Sequence, residues 1–197
     1  MPWLEPISLR GPHARLEPLA QDHCEGLTEA VKDGELWKLW YTFVPRAEDM
    51  SKEIDRRLGL QAAGSMLPWT VFDADGRIAG MTTYMNVDAP NRRVEIGSTW
   101  YATRVQRSAL NTQCKLLLLD HAFEKLDCIA VEFRTHFFNH QSRRGIERLG
   151  AKLDGILRSH QIASNGNLRD TVVYSIIASE WPTVKAHLTY QLNEKAR

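Results

Sequence analysis

"RVQRSALNT", residues 104–112, joins two runs of opposite character. Ahead of it stands "RRVEIGSTWYA", whose β-branched and aromatic residues read as a strand. Behind it stands "LNTQCKLLLLDHAFEKL", which is long and apolar enough for a helix. A basic, polar turn that feeds a helix N-terminus presents backbone N–H groups without internal partners, at the positive end of the helix dipole. Such an end attracts phosphate. Gln106, Arg107, Ser108, Asn111 and Thr112 add side-chain donors, and Lys115 follows one turn later. Turns of this kind are usually rich in glycine, and this one has none. The alternative reading is a plain loop in which Ser108 caps the helix and the charges face water.

The neighbours of this turn set the fold. "CIAVEFRTH" (128–136) is the next strand, so residues 92–135 form a strand–helix–strand unit, expected to be a right-handed parallel crossover. On the other side, "WTVFDADGRIAGMTTYMNV" is two β-rich runs around "DADG", a hairpin signal. The 91–102 run should pair antiparallel with the second of them. Further out, "ARLEPLA" reads as a first strand and "QDHCEGLTEAVKDG" as a helix ended by Gly34. "ELWKLWYTFVP" reads as a short helical turn. "AEDMSKEIDRRLGLQAAGSM" is a helix with Met50, Ile54 and Leu58 on one face and Glu53 and Arg57 four apart, a spacing that supports helices. After the central unit, "NHQSRRGIERLGA" is a helix capped at Gly150. "KLDGILRSHQIA" and "LRDTVVYSIIA" are strands around "SNGN", and "SEWPTVKAHLTYQL" is a final helix with Ser179 as N-cap. There is no repeat and no linker. The expectation is one α+β (mixed α/β) domain over residues 1–197, a central mixed, mostly antiparallel sheet with helices on both faces.

Composition narrows the partners. A chain of 197 residues can bury one substantial core. Its formal net charge of +1 gives no global attraction to nucleic acid or anionic membrane, so neither is expected as a partner. No apolar run is long enough to span a bilayer. "MPWLEPISLRG" lacks the basic start and apolar core of a signal peptide, so a cytoplasmic location is expected. Cys24, Cys114 and Cys128 are odd in number and not at metal-ligand spacing, which reads as buried free thiols rather than catalytic ones. His136 and His140 lack a third ligand. No metal is expected.

The turn and the helix after the 128–136 strand together resemble the GNAT superfamily of acyl-CoA-dependent N-acetyltransferases. In that family a Q/R-x-x-G-x-G/A turn holds the pyrophosphate of coenzyme A. Gln106 matches its first position, while Ala109 and Asn111 stand where the glycines would be. Asn tolerates left-handed backbone and Ala is the smallest side chain after Gly, so the turn could keep its shape. "NHQSRRGIERLGA" resembles N-x-x-S/A-x-x-x-Y-E-K-x-G-F. Asn139, Ser142, Glu147 and Gly150 match, Arg148 replaces Lys, and Ile146 stands in place of the tyrosine. The RimJ/RimL type, which includes protein N-terminal acetyltransferases, is closest in character.

The resemblance implies a parallel strand pair splayed for acetyl-CoA. Pantetheine would run along the backbone of Ser98, Thr99, Trp100 and Tyr101, with Gly97 suited to a local bulge. The pyrophosphate would lie on Gln106, Arg107, Ser108, Ala109, Leu110, Asn111 and Thr112, chiefly on their backbone amides. Asn139 and Ser142 would face the cofactor from the other lip. Glu95 is the candidate general base, its alternative being a surface carboxylate paired with Arg92 or Arg93. Ser142 is the candidate partner of the leaving thiolate, its alternative being helix capping. With Ile146 in the tyrosine's place, the proton donor is open.

The implied activity is acetyl transfer from acetyl-CoA to a primary amine, either a small molecule or a protein N-terminus. A non-catalytic acyl-CoA-binding protein is the alternative. A dinucleotide-binding domain lacks its glycine fingerprint here. Trp37, Trp40 and Trp69 fall in the acceptor-side region of the family, with core packing as their default. The aromatic "LWKLWYTF" and the terminal "EWPTVKAHLTYQL" would leave apolar surface for a homodimer.

Overall fold

The computed structural model describes residues 3–163 and 165–195. Eight strands and five α-helices follow in chain order: β1 (Leu9–Arg10), β2 (Ala14–Pro18), α1 (Cys24–Lys32), α2 (Met50–Ala62), β3 (Met66–Asp73), β4 (Ile78–Asp88), β5 (Arg93–Tyr101), α3 (Leu110–Asp120), β6 (Ala130–His136), α4 (His140–Glu147), β7 (Lys152–Ile162), β8 (Leu168–Ile177) and α5 (Trp181–Lys195). The strands form one sheet in the order β1-β2-β3-β4-β5-β6-β8-β7. Among the described strands only β5 and β6 run parallel. The mixed, mostly antiparallel sheet is therefore as expected.

The β3–β4 turn forms for the reason its residues give. The Asp73 carboxylate accepts the backbone N–H groups of Asp75 and Arg77 at 3.0 and 2.9 Å, and Gly76 takes φ +79. Met66–Val71 of β3 and Ala79–Tyr84 of β4 are buried at every position. Because successive strand residues point to opposite faces, both faces of the sheet are covered there. α1 packs on β4 and α2 on β3, while α3 packs on β2 and on α5. By contrast β7, at the sheet's edge, is exposed along almost its whole length, and Leu153, Ile156, Leu157 and Ile162 stay in solvent.

Several details depart from the sequence expectation. β1 is a two-residue strand, too short for a sequence pattern to announce. α3 begins at Leu110 and its last turn, His121–Lys125, widens into a π-helix. α5 begins at Trp181, and the carbonyl of Glu180 accepts the N–H groups of Thr183 and Val184, so the residue ahead of the helix is Glu180 and not Ser179. Trp181, Val184, Leu188 and Leu192 of that helix are buried in the core, so its apolar face is already covered. Trp40 and Phe43 of the aromatic segment do stay exposed. Glu53 and Arg57 are not a surface pair: they are only 4% and 2% exposed.

Candidate active site

The site begins where two strands part. β5 and β6 pair only at Arg93–Ala130, Val94–Val131 and Glu95–Glu132. β5 then continues to Tyr101 and β6 to His136 with no ladder between them. On its other side β5 is joined to β4 by Met81–Trp100 and Thr83–Gly97, so that one residue of β4, Thr82, faces two of β5, Ser98 and Thr99. That extra residue is a bulge. The left-handed residue within it is Ser98, at φ +45, rather than Gly97. Gly97 matters for space: a Cβ there would stand 2.7 Å from the Met85 sulfur and 2.9 Å from the Glu95 carboxylate.

Glu95 is 5% exposed, and neither Arg92 nor Arg93 holds it. Arg92 pairs with Asp127 and Arg93 with Glu132. Instead Asn86 Nδ2 donates to Glu95 Oε2 at 2.6 Å, and Arg134 Nε lies 3.5 Å from the same oxygen. Asn86 reaches it from a second irregularity, in β4, where it takes φ +47. Burial raises the Glu95 carboxyl above its usual range, and the Asn86 hydrogen bond and Arg134 only partly oppose that. A carboxylate raised in this way holds a proton closer to the pH at which amines must lose theirs.

The turn after β5 keeps its shape differently from the expectation. Gln106 turns back and donates through Nε2 to the carbonyl of Tyr101 at 3.1 Å. The left-handed residue is Arg107, at φ +61; Ala109 is right-handed at φ −73, so a glycine is not required there. Asn111 is the second residue of α3 and needs no special backbone either. Ser108 Oγ accepts the N–H of Leu110 at 3.2 Å and donates to the carbonyl of Val105 at 2.6 Å. The helical ladder of α3 starts with Gln113 N–H donating to the Ala109 carbonyl at 2.9 Å, which leaves the N–H groups of Asn111 and Thr112 outside that ladder.

Two side chains credited to this turn, those of Thr112 and Lys115, are spent elsewhere, while Leu110 counts there for its backbone alone. Leu110 is in the core. Thr112 is fully buried, and its hydroxyl accepts from Arg148 of α4 at 3.1 Å. Lys115 is 6% exposed and its Nζ donates to Thr99 Oγ1 at 3.2 Å, behind the bulge.

The opposite lip is the start of α4. Asn139 is its N-cap: Oδ1 accepts the N–H of Ser142 at 3.0 Å. The cap role given as the alternative for Ser142 therefore belongs to Asn139, and Ser142 supplies only its N–H to it. Ser142 remains half-buried. Arg148, the substitute for the family's lysine, ties this helix to α3 through Thr112. Trp40 and Phe138, both more than half exposed, surround His136 at the end of β6; the Trp40 and His136 ring centroids lie 5.1 Å apart.

Residues 13–152 match the family model described as the acetyltransferase (GNAT) domain. The chain belongs to the GNAT family. A solved GCN5-related N-acetyltransferase from Brucella melitensis superposes with a TM-score of 0.86, at 29% identity, over 97% of this chain and 87% of that one. RimJ of Mycobacterium smegmatis, solved with CoA-disulfide, shares the fold at 20% identity with a TM-score of 0.79, over 94% of this chain and 95% of that one. YdaF of Bacillus subtilis (strain 168), provisionally described as a ribosomal N-acetyltransferase, is 34% identical over 107 residues. That match takes in 54% of this chain and 57% of YdaF, so it spans little more than half of the relative's length.

Within this GNAT chain the other polar candidates are structural. Burial pushes the Cys114 and Cys128 thiols up to about 12, so neither is a nucleophile near neutral pH. Among the described residues, no three His, Cys, Asp or Glu side chains gather as metal ligands. Trp69 is a fully buried core residue whose Nε1 donates to the Ile7 carbonyl at 2.7 Å. Among the described helices none is long and apolar enough to cross a membrane. Asn86 and Arg134, the partners of Glu95, carried no signal in the sequence; only the pairing of β4 and β6 on either side of β5 brings them in.

Proposed function

We propose that the chain is an N-acetyltransferase that moves an acetyl group from acetyl-CoA to a primary amine, with both substrates bound together. The observation that carries this is a buried carboxylate, Glu95, on the strand that loses its parallel neighbour one residue later. A protein that only bound an acyl-CoA would have no use for a desolvated carboxylate there, which favours the enzyme over the non-catalytic alternative.

The residues present fit the group. The β6-facing edge of β5 from Ile96 to Tyr101 has no strand beside it to use its backbone. The N–H groups of Asn111 and Thr112, ahead of the α3 ladder, offer an anion site at the end of that edge, and Arg107 stands exposed in the turn. Asn139 Oδ1 is committed to its cap, and its Nδ2 is the donor left for the cofactor on the other lip. Acetyl-CoA supplies the thioester, whose acyl carbon accepts the amine and whose sulfur leaves with the C–S electron pair. Glu95 takes the proton that the amine nitrogen loses, directly or through one water, and later releases it to solvent. The hydroxyl of Ser142 donates a hydrogen bond to the departing sulfur. A thiolate is a tolerable leaving group near neutral pH, so the tyrosine replaced by Ile146, now 8% exposed in the core, is dispensable.

The acceptor is a primary amine. The name of the Bacillus relative supports a ribosomal acceptor, and a protein N-terminus is the form of amine we favour over a small molecule. The test is thiol release from acetyl-CoA with ribosomal proteins, N-terminal peptides and small amines offered side by side. Enzyme-dependent release with none of them would remove this acceptor assignment, and no binding of coenzyme A at millimolar concentration would remove the activity.

A further inference from the structure

The buried Glu53–Arg57 pair has a role beyond supporting its own helix. Arg57 of α2 donates through Nε to Glu53 Oε1 at 2.7 Å, and Arg56 fastens the same carboxylate through two bonds of 2.8 Å. The remaining arm of Arg57 leaves α2 altogether: Nη2 donates to the carbonyl of Ser98 at 3.1 Å. Ser98 is the bulge residue with φ +45, a conformation that non-glycine residues adopt only when their surroundings hold them. Nη1 of Arg57 is buried with no partner, so the guanidinium is not placed there to complete a satisfied polar core.

Core filling does not account for this arrangement. A buried ion pair is seldom more stable than apolar residues of the same volume. What an arginine offers here, and a methionine does not, is a donor to one particular carbonyl. That carbonyl sits three residues after Glu95 and at the start of the stretch whose backbone lies open to the cleft. A Cβ at Gly97, between them, would meet the Met85 sulfur and the Glu95 carboxylate, so the bulge backbone lies close against that carboxylate and the two are placed together.

We propose that Arg57 is a positioning residue. From α2 it clamps the Ser98 carbonyl, holds the bulge in its left-handed form, and so fixes both the cofactor edge of β5 and the place of Glu95. This rests on the acetyl-transfer reading above. It predicts a defect at the reacting end of the cofactor and none at the pyrophosphate turn, which is held by α3.

The test is the double variant Glu53→Gln/Arg57→Met, which removes both buried charges together. Melting temperature, the affinities for coenzyme A and acetyl-CoA by calorimetry, and turnover of an accepted amine are measured on parent and variant. The variant is expected to melt within a few degrees of the parent and to bind coenzyme A within about threefold. Its affinity for acetyl-CoA should fall more than its affinity for coenzyme A does, and turnover should fall about tenfold or more, an effect of the size expected for a charged hydrogen bond. Arg57→Lys should recover part of the turnover. A folded double variant with the parent's turnover and acetyl-CoA affinity overturns the assignment alone. A parent that binds neither ligand overturns the acetyl-transfer reading and the assignment with it. If the double variant does not fold, Arg57→Lys carries the test: it should be several-fold slower with coenzyme A affinity kept, and full activity there overturns the clamp.

Discussion

Lys115 offers a measurement in which the sign and size of the effect follow from burial. It lies on α3 with 6% exposure, and its one hydrogen bond goes to Thr99 Oγ1. Loss of water pulls its amine down from 10.5 to about 8, and the neighbouring Cys114 restores little of that. At 1.36 kcal/mol for each tenfold change in proton affinity, the fall is worth roughly 3 kcal/mol against folding with the amine charged. Lys115→Met keeps the length of the side chain and removes the charge. It also forfeits a hydrogen bond worth about 1 kcal/mol, so the variant should be more stable by about 2 kcal/mol at pH 7.

The folded chain binds this proton less tightly than the unfolded chain. Between about pH 8 and 10.5 the unfolded state therefore carries more of it, and the parent gains stability as pH rises through that window. The contribution is absent below the lower value and complete above the upper one. Urea unfolding of parent and variant at pH 7 and again at pH 9.5 reads both claims. The gap should be largest at pH 7 and should shrink at pH 9.5. A variant less stable than its parent at pH 7, or a gap indifferent to pH, would refute the claim that this amine is desolvated.

Glu95→Gln should cut turnover about a hundredfold, within the range typical of a lost general base, with acetyl-CoA affinity nearly unchanged. Because burial raises the carboxyl, the parent's rate should climb with pH through a midpoint above 4.5, and the variant's pH–rate profile should lack that limb. Asn111 is the second residue of α3, a position that Pro182 already occupies in α5. Asn111→Pro should therefore fold, remove one amide, and weaken coenzyme A binding about tenfold, whereas Asn111→Ala should bind as the parent does; equal losses by calorimetry would make the side chain the ligand. Asn139→Ala should lower stability by about 1 kcal/mol through the lost cap, read by urea unfolding, while Ser142→Ala should slow turnover without loss of stability. Light scattering at high concentration should find self-association through the face that carries Trp40 and Phe43, and a monomer throughout would remove that proposal.

The elements of the fold could be read from local patterns because most are fixed by local chemistry. "DADG" closes its hairpin with Asp73 and Gly76, and Gly150 ends the α4 segment at φ +97. The α4 cap is just as local, but it lies at Asn139, three residues ahead of Ser142, for which capping is the alternative reading. What stayed hidden depends on which elements meet. Spacing alone shows Glu53 and Arg57 as an ordinary helix pair, and only the packing of α2 on the sheet, which brings Arg57 to the Ser98 carbonyl, turns that pair inward. Thr112 and Lys115 looked like donors to the turn because a sequence shows a helix's residues but not which way the helix is rolled. The missing glycines misled in the other direction: the turn takes its left-handed step at Arg107, a position that the family pattern does not reserve for glycine.

The exposed β7 strand bears on how the chain behaves in company. An outermost strand with leucine and isoleucine in solvent and a row of unused backbone groups is a template on which another extended chain can grow. Two devices stand against that here. The register of β7 breaks twice, between Leu153 and Gly155 and between Leu157 and Gln161, so no long straight stretch is offered. Lys152, Asp154 and Arg158 punctuate the apolar positions with charge. A change that straightens this border, such as a β-branched residue at Gly155, or that neutralises Arg158, would leave the cleft intact and still shorten the time a concentrated sample stays clear.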